Sequence, residues 1–230
     1  YNVALGRRAL DSNTTASNNV AIGRSSMESN TTGSENVAVG SNSLDACTTG
    51  NGNVGIGVNS LGALTTGAGN TAIGDDSVAS GVVTGNYNTA LGNSALDALT
   101  SGTLNVGVGR LALAANTTGA ENTAVGALAL TNNTTGTHNV AVGGSDGATG
   151  ATLGTNSTGS QNTAIGMQAL KANTTADNNV AVGYQALFAN TTGAQNTAIG
   201  AECADAITTG TNNTGIGYEA MGKLTTGTDN

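Results

Sequence analysis

Asn179–Gln195 reads NVAVGYQALFANTTGAQ, and units of the same design fill the whole chain of 230 residues. The first five residues of the unit are Asn, Val or Thr, Ala or Gly, an aliphatic residue, and Gly. Successive units begin 17 residues apart, except for one spacing of 18 and one of 23. We number each unit from its Asn, which is position 1. The thirteen units begin at Asn2, Asn19, Asn36, Asn53, Asn70, Asn88, Asn105, Asn122, Asn139, Asn162, Asn179, Asn196 and Asn213, and Asn230 begins a fourteenth.

Four residue types dominate the composition, with 37 Thr, 36 Ala, 36 Gly and 30 Asn. Charged residues make up only 9% of the chain, where an ordinary globular domain has about a quarter. The net charge is −8, and the chain has only 6 Lys and Arg, whereas a nucleic-acid partner requires clustered basic residues. No apolar run approaches the roughly 20 residues of a membrane span. We therefore expect neither nucleic-acid binding nor membrane insertion.

The unit is too short for a pair of helices, because helical repeats run to about 33 residues or more. Positions 2 to 4 predict a short strand, and the Gly at position 5 closes it. Positions 8 and 9, as in Ala186-Leu187, predict a second short strand or extended segment, and Thr-Thr-Gly at positions 13 to 15 predicts a corner. The predicted fold is all-β, a parallel β-solenoid (β-roll) of about thirteen 17-residue coils. We expect one repeat array over residues 1–230, because neither end resembles a polar cap. It is expected to be a fragment of a longer fibre chain, or of an assembly that covers its ends.

The two faces of the predicted strand carry different side chains. Residues alternate across a strand, so positions 2 and 4 share one face and position 3 takes the other. Position 4 is aliphatic in every unit, as at Ile199, and is predicted to face the core. Position 3 is always Ala or Gly, which predicts a close neighbour. That neighbour is either the opposite wall of a narrow interior or another chain.

Asn residues mark two further positions of the unit. Position 1 is always Asn, and stacked Asn side chains can hydrogen-bond along a ladder. Position 12 is Asn in six regular units and apolar in most others, which predicts an inward-facing site with a satisfied amide. Its Asn-Thr-Thr context is also a glycosylation sequon, although the repeat already explains the motif. The irregular units predict outward loops at residues 144–159 and around Gly81-Val82-Val83.

No set of residues predicts a catalytic, cofactor-binding or metal site, so we expect the chain not to be an enzyme and to use no cofactor. His138 is the single His and is predicted to be exposed without an acidic partner. Cys47 and Cys203 lie nine units apart, so they are expected to remain unpaired and to pack as small apolar residues. The Asp75-Asp76 pair and Asp146 lack the spacing of a calcium loop.

The block N-[VT]-A-[VI]-G resembles the S-V-A-I-G block in the head repeats of trimeric autotransporter adhesins (the YadA-like head). The longer unit, as in residues 179–195, resembles repeats in phage tail fibres and related surface fibres. The adhesin resemblance implies a left-handed parallel β-roll in which three chains associate side by side. The tail-fibre resemblance implies chains that often end in a self-cleaving trimerisation chaperone. This chain departs from the adhesin head in its period of 17, and it shows no stalk, anchor or chaperone sequence.

These observations predict the structural shaft of an extracellular fibre, on a cell surface or a virion, that supports adhesion or host attachment. The expected partner is the chain itself, as a homotrimer or an end-to-end fibre, and a surface receptor or glycan would bind through flanking domains. The alternative is an ice-binding solenoid that uses Thr ladders at positions 13 and 14. Ice matching favours two outward Thr on one strand, as in T-x-T, and adjacent Thr residues do not provide that arrangement.

Overall fold

Each coil of the chain contains one short strand. The computed structural model describes residues 1–145, 147 and 150–230, and it contains strands and turns but no helix within them. Every strand occupies positions 2 to 4 of its unit. The strands are β1 (Val3–Leu5), β2 (Val20–Ile22), β3 (Val37–Val39), β4 (Val54–Ile56), β5 (Thr71–Ile73), β6 (Thr89–Leu91), β7 (Val106–Val108), β8 (Thr123–Val125), β9 (Val140–Val142), β10 (Thr163–Ile165), β11 (Val180–Val182), β12 (Thr197–Ile199) and β13 (Thr214–Ile216).

The strands belong to two compact units, each of which contains several repeats. The first unit is Tyr1–Thr118 with β1–β7, and the second unit is Gly119–Asn230 with β8–β13. Within the first unit each strand pairs in parallel with the next, at matching positions of the repeat. The strands of the second unit pair in the same way. Each unit is therefore a parallel β-solenoid, and the predicted fold class is confirmed.

The second strand predicted at positions 8 and 9 is absent from the described coils. These positions lie in a turn that follows the Gly at position 5. Gln185 at position 7 has φ +56° and Leu187 at position 9 has φ +50°, in the left-handed region that costs a non-Gly residue roughly 1 kcal/mol or more. The Leu187 N–H donates to the Cys203 carbonyl of the next coil at 3.0 Å. Bonds of this kind between coils hold the turn without a second strand.

The strand faces are the reverse of the prediction. Ala198 at position 3 is 0% exposed, whereas Ile199 at position 4 is 41% exposed. The interior beside position 3 is narrow, since a Cβ added to Gly55 would lie 2.7 Å from Ser43 Oγ. Two neighbours could explain why position 3 is always Ala or Gly, and the structure shows that the neighbour is the opposite wall of a narrow interior. Position 4 faces outward, and the prediction that it forms the core was wrong.

The interior is filled mainly from positions 8, 9 and 12. Position 9 provides long apolar side chains such as Met27, Leu44, Leu96 and Leu187, all 0% exposed. Position 8 provides a small side chain, Ala or Ser in most coils, and the Ser60 hydroxyl donates to the Ala72 carbonyl at 2.9 Å. The core thus combines large side chains at positions 9 and 12 with small ones at positions 3 and 8, which keeps the coil thin.

In both compact units, the Asn side chains at position 1 of successive repeats form a buried ladder, as predicted. Asn70 is typical: its backbone N–H and its Nδ2 both donate to Asn53 Oδ1 in the preceding coil, at 2.9 and 3.2 Å. Asn70 Nδ2 also donates to the Gly85 carbonyl at 2.9 Å. Asn70 Oδ1 in turn accepts from the backbone N–H and Nδ2 of Asn88 in the next coil, at 2.9 and 3.1 Å. One side chain therefore links its own coil to both neighbours and closes the corner of the repeat. We call this rank the corner Asn ladder.

Position 12 carries a second, interrupted ladder, which we call the inner Asn ladder: Asn13, Asn30, Asn116, Asn133, Asn156, Asn173 and Asn190. Asn173 Nδ2 donates to Asn156 Oδ1 at 2.9 Å and to the Ala176 carbonyl at 3.1 Å, so its amide is satisfied as predicted. The ladder stops where an apolar residue follows. Asn30 Oδ1, before Cys47, and Asn190 Oδ1, before Ile207, are buried without a partner. Asn30 and Asn190 are 0% exposed, so the sequon amide is inaccessible in the folded chain.

We expect Asn173→Leu to destabilise the second unit more than Asn190→Leu, although both side chains are 0% exposed. Asn173→Leu removes the acceptor of Asn190 Nδ2, which donates to it at 3.1 Å, and the donor to Asn156 Oδ1. Asn190→Leu removes an amide whose oxygen already lacks a donor. The difference should be about 1–3 kcal/mol, the cost of an additional unpaired buried polar group. Urea denaturation of the two variants measures it, and equal losses would contradict the described ladder.

The irregular coils keep the regular core. In the coil with one extra residue, Val82 is 67% exposed while Val83 is buried and bridges to Leu64 of the preceding coil. Within the predicted loop 144–159, Leu153 and Asn156 are buried at the usual Leu and Asn places. Asp146, Ala148 and Thr149 lie outside the described residues.

Candidate interaction surface

The outward side of the strands carries an uncovered apolar surface. We define the outer strand face as the side chains at positions 2 and 4 of β1–β13, which are Val or Thr at position 2 and Val, Ile or Leu at position 4. Internal examples of position 4 are Ile73 at 41% exposed, Val125 at 37% and Ile165 at 39%. Neither position carries a charged residue in any coil.

Local preferences of the side chains explain this arrangement. Branched residues suit an extended backbone, because their restricted side-chain rotation is compatible with strands. The inward position 3 leaves room for a methyl group at most, so the bulky residues must take the outward positions. The Gly at position 5 then ends each strand at the same position of the repeat, as at Gly57 with φ +133°. The result is a regular face three residues wide.

The size of the outer strand face is that of an interaction site. Three residues at about 3.3 Å and strands about 4.8 Å apart give each strand about 50 Å² of outward face. The first unit, with β1–β7, thus presents about 350 Å², and the second, with β8–β13, about 300 Å². The largest contiguous apolar patch on a typical soluble monomer is about 300–600 Å² and is often functional. The exposed aliphatic rank was missed in the sequence because position 4 was assigned to the core.

His138 has an acidic partner, contrary to the prediction. Its Nε2 lies 3.1 Å from Glu121 Oε2, and both side chains are about half exposed. The two residues occupy position 17 of adjacent coils, so the repeat spacing alone could have paired them. An exposed pair of this kind contributes little to stability.

The two Cys residues are free and buried, as predicted. Burial raises the pKa of the Cys47 thiol to about 11, and burial also raises the pKa of Cys203. The reactive thiolate is therefore suppressed at both sites near neutral pH. Neither Cys is placed for chemistry, but each reports unfolding of its own unit through its accessibility.

Acidic side chains of the first unit line an open groove that the sequence did not predict. Asp45, Asp76 and Asp97 contribute carboxylates from three coils, and the groove has a volume of about 400 Å³. Asn59 Nδ2 donates to Asp76 Oδ1 at 2.9 Å, and Ser80 Oγ donates to Asp97 Oδ1 at 2.8 Å. Burial raises the pKa of Asp45. Within the described residues, no group of three or more His, Cys, Asp or Glu is arranged to hold a metal ion.

The Thr-Thr corners of the internal coils present one exposed Thr each. Thr191 at position 13 is half-buried, and its hydroxyl donates to the Thr208 carbonyl at 3.1 Å. Thr192 at position 14 is exposed. Adjacent Thr residues thus point in different directions, as predicted, and the corner provides a single outward Thr rank.

Comparison with protein-family models, with curated proteins and with solved structures found no match. In the part of the chain that the structure describes, there is no helix with the length and hydrophobicity to cross a membrane.

Proposed function

We propose that the chain is the structural shaft of an extracellular fibre, in which copies associate side by side through the outer strand face. The observation that supports this proposal is the uncharged apolar rank at position 4, typified by Ile73, Ile165 and Ile199, each about 40% exposed. A face that repeats every 4.8 Å or so is matched rung by rung only by a partner with the same repeat. Another copy of this chain has that repeat.

Covering the face contributes a favourable free energy of association. Burying about 300 Å² of apolar surface at about 25 cal/mol/Å² contributes roughly 7 kcal/mol from the second unit of each copy. The costs of losing free motion and ordering side chains reduce this value, so association requires several coils acting together. The repeated strands of each compact unit supply them. Within each compact unit, the backbone and Asn ladders hold successive strands in register.

The finer features of the proposal come from the family resemblance of the repeat. They are left-handed winding of the coils, association as a trimer, and a place on a cell surface or virion as part of an adhesin or tail fibre. Flanking domains would carry the receptor or glycan site. The shaft itself sets the distance between attachment points and requires no catalytic group, cofactor or metal.

Ice binding remains the alternative function, and the geometry supports it less. The outer strand face has Thr at position 2 in six coils, but position 4 beside it is always aliphatic, so no T-x-T pair faces outward. The corner provides only the single rank at position 14. We expect no thermal hysteresis from the purified chain, and a clear hysteresis gap would favour ice binding over the fibre proposal.

We expect Ile199→Asp to abolish association while the single chain keeps its fold. The side chain is 41% exposed and points away from the interior, so the carboxylate stays hydrated in the free chain. In an assembly the same carboxylate would be buried without a partner, at a cost of several kcal/mol. Light scattering measures the mass, and circular dichroism on the same samples measures the fold.

Thr192→Asp is the matched control, because Thr192 is exposed at a corner of the preceding coil and lies off the outer strand face. It should leave both mass and fold unchanged. A wild-type chain that stays monomeric at every concentration would refute the proposal. Loss of fold in Ile199→Asp would instead show that position 4 supports the coil itself.

A further inference from the structure

An exposed aromatic ring in the first unit is braced by a glycine of the preceding coil. Tyr87 is the last residue of its repeat and is 64% exposed. A Cβ added to Gly69, the last residue of the preceding repeat, would lie 2.6 Å from Tyr87 Cδ1 and 2.7 Å from Cε1. One edge of the ring therefore rests where a side chain would otherwise stand. This contact holds the ring in place while most of its surface stays open to solvent.

The residues that form this contact are exceptional in the repeat. Among the thirteen repeats, the last residue is Gly only at Gly52 and Gly69, and it is aromatic only at Tyr87. The backbone around them is regular, since the Tyr87 N–H donates to the Ala68 carbonyl and the Gly69 N–H to the Asn51 carbonyl, both at 3.0 Å. The chain thus places its only aromatic residue of this rank next to bare glycine backbone.

Two carboxamides lie near the ring, one residue before Tyr87 and one residue before Gly52. Asn86 Oδ1 accepts from the Ala68 N–H at 2.8 Å, and Asn51 Oδ1 accepts from a backbone N–H of the preceding coil at 2.8 Å. These bonds fix the orientation of each amide, and none of the hydrogen bonds described for the chain uses the Nδ2 of either residue. Each Nδ2 carries two hydrogens that can be donated to a ligand.

We propose that Tyr87 is a stacking platform for a neutral sugar, which Asn86 and Asn51 hold by hydrogen bonds. A pyranose whose hydroxyls are equatorial has an apolar face of axial C–H bonds, and this face packs on the negative face of an aromatic ring. The hydroxyls around the rim of the sugar accept hydrogen bonds from the amides. Because Gly69 already holds the ring, binding costs little side-chain entropy, which favours a shallow site.

The charge of the chain favours neutral over acidic sugars. The net charge is −8, and no ionised side chain occurs among the five residues that form the site, Asn51, Gly52, Gly69, Asn86 and Tyr87. An acidic saccharide would meet this charge without a basic partner. The site lies on the repeat itself, so it requires neither flanking domains nor association of copies. The inference is therefore independent of the fibre proposal and gives the shaft an attachment site of its own.

Titration of the full chain with cellotetraose, followed by protein NMR, tests the platform. This probe is uncharged, and all its ring hydroxyls are equatorial. We expect saturable binding that Tyr87→Ala weakens by about tenfold or more, because the stacking surface is lost. Tyr87→Phe keeps the ring and should bind within about threefold of the native chain. The side chain is exposed, so circular dichroism should show the native fold in both variants.

Asn86→Ser tests the amide separately. The repeat itself uses Ser at this place, where the Ser34 hydroxyl accepts from the Ser17 N–H at 3.2 Å. The replacement therefore keeps an acceptor for the Ala68 N–H and removes the Nδ2 donor. Binding of cellotetraose should weaken by about three- to tenfold, the effect of one hydrogen bond. Unchanged binding would remove Asn86 from the site.

Tyr184→Ala is the matched control and should leave binding unchanged. Tyr184 is 42% exposed, but the equivalent residue of the preceding repeat is Met167, so no bare glycine lies beside its ring. Equal losses in Tyr184→Ala and Tyr87→Ala would refute the platform. So would the absence of saturable binding up to about 10 mM cellotetraose.

Two further measurements separate the sugar site from other roles of the ring. Octaproline that binds while cellotetraose does not would assign the ring to proline-rich segments and overturn the proposal. Light scattering of Tyr87→Ala should show the same mass as the native chain. Loss of association in this variant would show that the ring contacts another copy, which also overturns the sugar site. A native chain that binds cellotetraose but stays monomeric refutes the fibre proposal alone.

Discussion

Replacement of Ala141 by Arg is expected to unfold the second unit around β9, at a cost of about 3–5 kcal/mol or more. Ala141 is 0% exposed and points into the narrow interior. A guanidinium there has no room and would be buried without a partner charge. Because each coil of a solenoid is stabilised by its neighbours, the loss should spread beyond one coil.

The matched control is Val142→Arg, one residue along the same strand but half-buried on the outer strand face. It should keep the fold of the single chain, although it should also weaken association. Far-UV circular dichroism measures the fold, and labelling of Cys203 by a thiol reagent reports exposure of the second unit. Equal loss of structure in both variants would mean that the two strand faces are not distinct.

Gly57→Ala is expected to destabilise the first unit by about 3 kcal/mol or more. Gly57 has φ +133°, and an added Cβ would lie 2.6 Å from the Gly74 carbonyl oxygen of the next coil. The added methyl group therefore meets backbone that is itself fixed by the ladder, so the strain cannot relax through a side chain. The effect combines a left-handed conformation with a direct clash.

Gly52→Ala separates these two causes. Gly52 has φ +66°, but nothing lies within 4 Å of an added Cβ. This variant should cost only about 1 kcal/mol, the conformational part of the effect. Urea midpoints and the labelling rate of Cys47, a buried thiol of the same unit, provide the comparison. If Gly52→Ala proves as harmful as Gly57→Ala, the stacking of coils at position 5 is not what requires Gly.

The positions of the strands and of the Asn ladders could be predicted from the sequence because they follow from the spacing of the repeat. The 17-residue period places each strand at positions 2 to 4, and the invariant Asn predicts a ladder, which the bond from Asn70 to Asn53 confirms. Alternation of Asn with apolar residues likewise identifies position 12 as interior. These inferences use many copies of one signal, so accidental features of single units cancel.

The spacing of the repeat did not reveal which face of each strand is buried. Alternation shows that positions 2 and 4 share a face, but it does not show which face is buried. Hydrophobicity favoured position 4, as at Ile199, whereas the thin interior admits only the methyl group of Ala198. In a coil this small, available volume outweighs the burial of a larger aliphatic side chain.

The turn at positions 6 to 11 was missed for a different reason. Leu residues with left-handed φ, such as Leu170 and Leu187 at +50°, carry none of the Gly or Asn signal typical of that conformation. Hydrogen bonds between stacked coils stabilise it, and a single unit does not reveal them. The His138–Glu121 contact was missed because the two residues were considered separately rather than as neighbours one period apart.

The corner Asn ladder also has a consequence for how genes of this kind can change in length. Asn162 donates to Asn139 across the 23-residue unit at 3.0 and 3.2 Å, the same distances that join regular units. Each coil accepts bonds from one neighbour and donates them to the other in identical fashion. Recombination that adds or removes a whole repeat therefore leaves each remaining position-1 Asn beside another position-1 Asn. Residues inserted at the turn leave the hydrogen bonds between these Asn residues intact. Evolution can therefore adjust the array one coil at a time without redesigning the bonds of the corner Asn ladder.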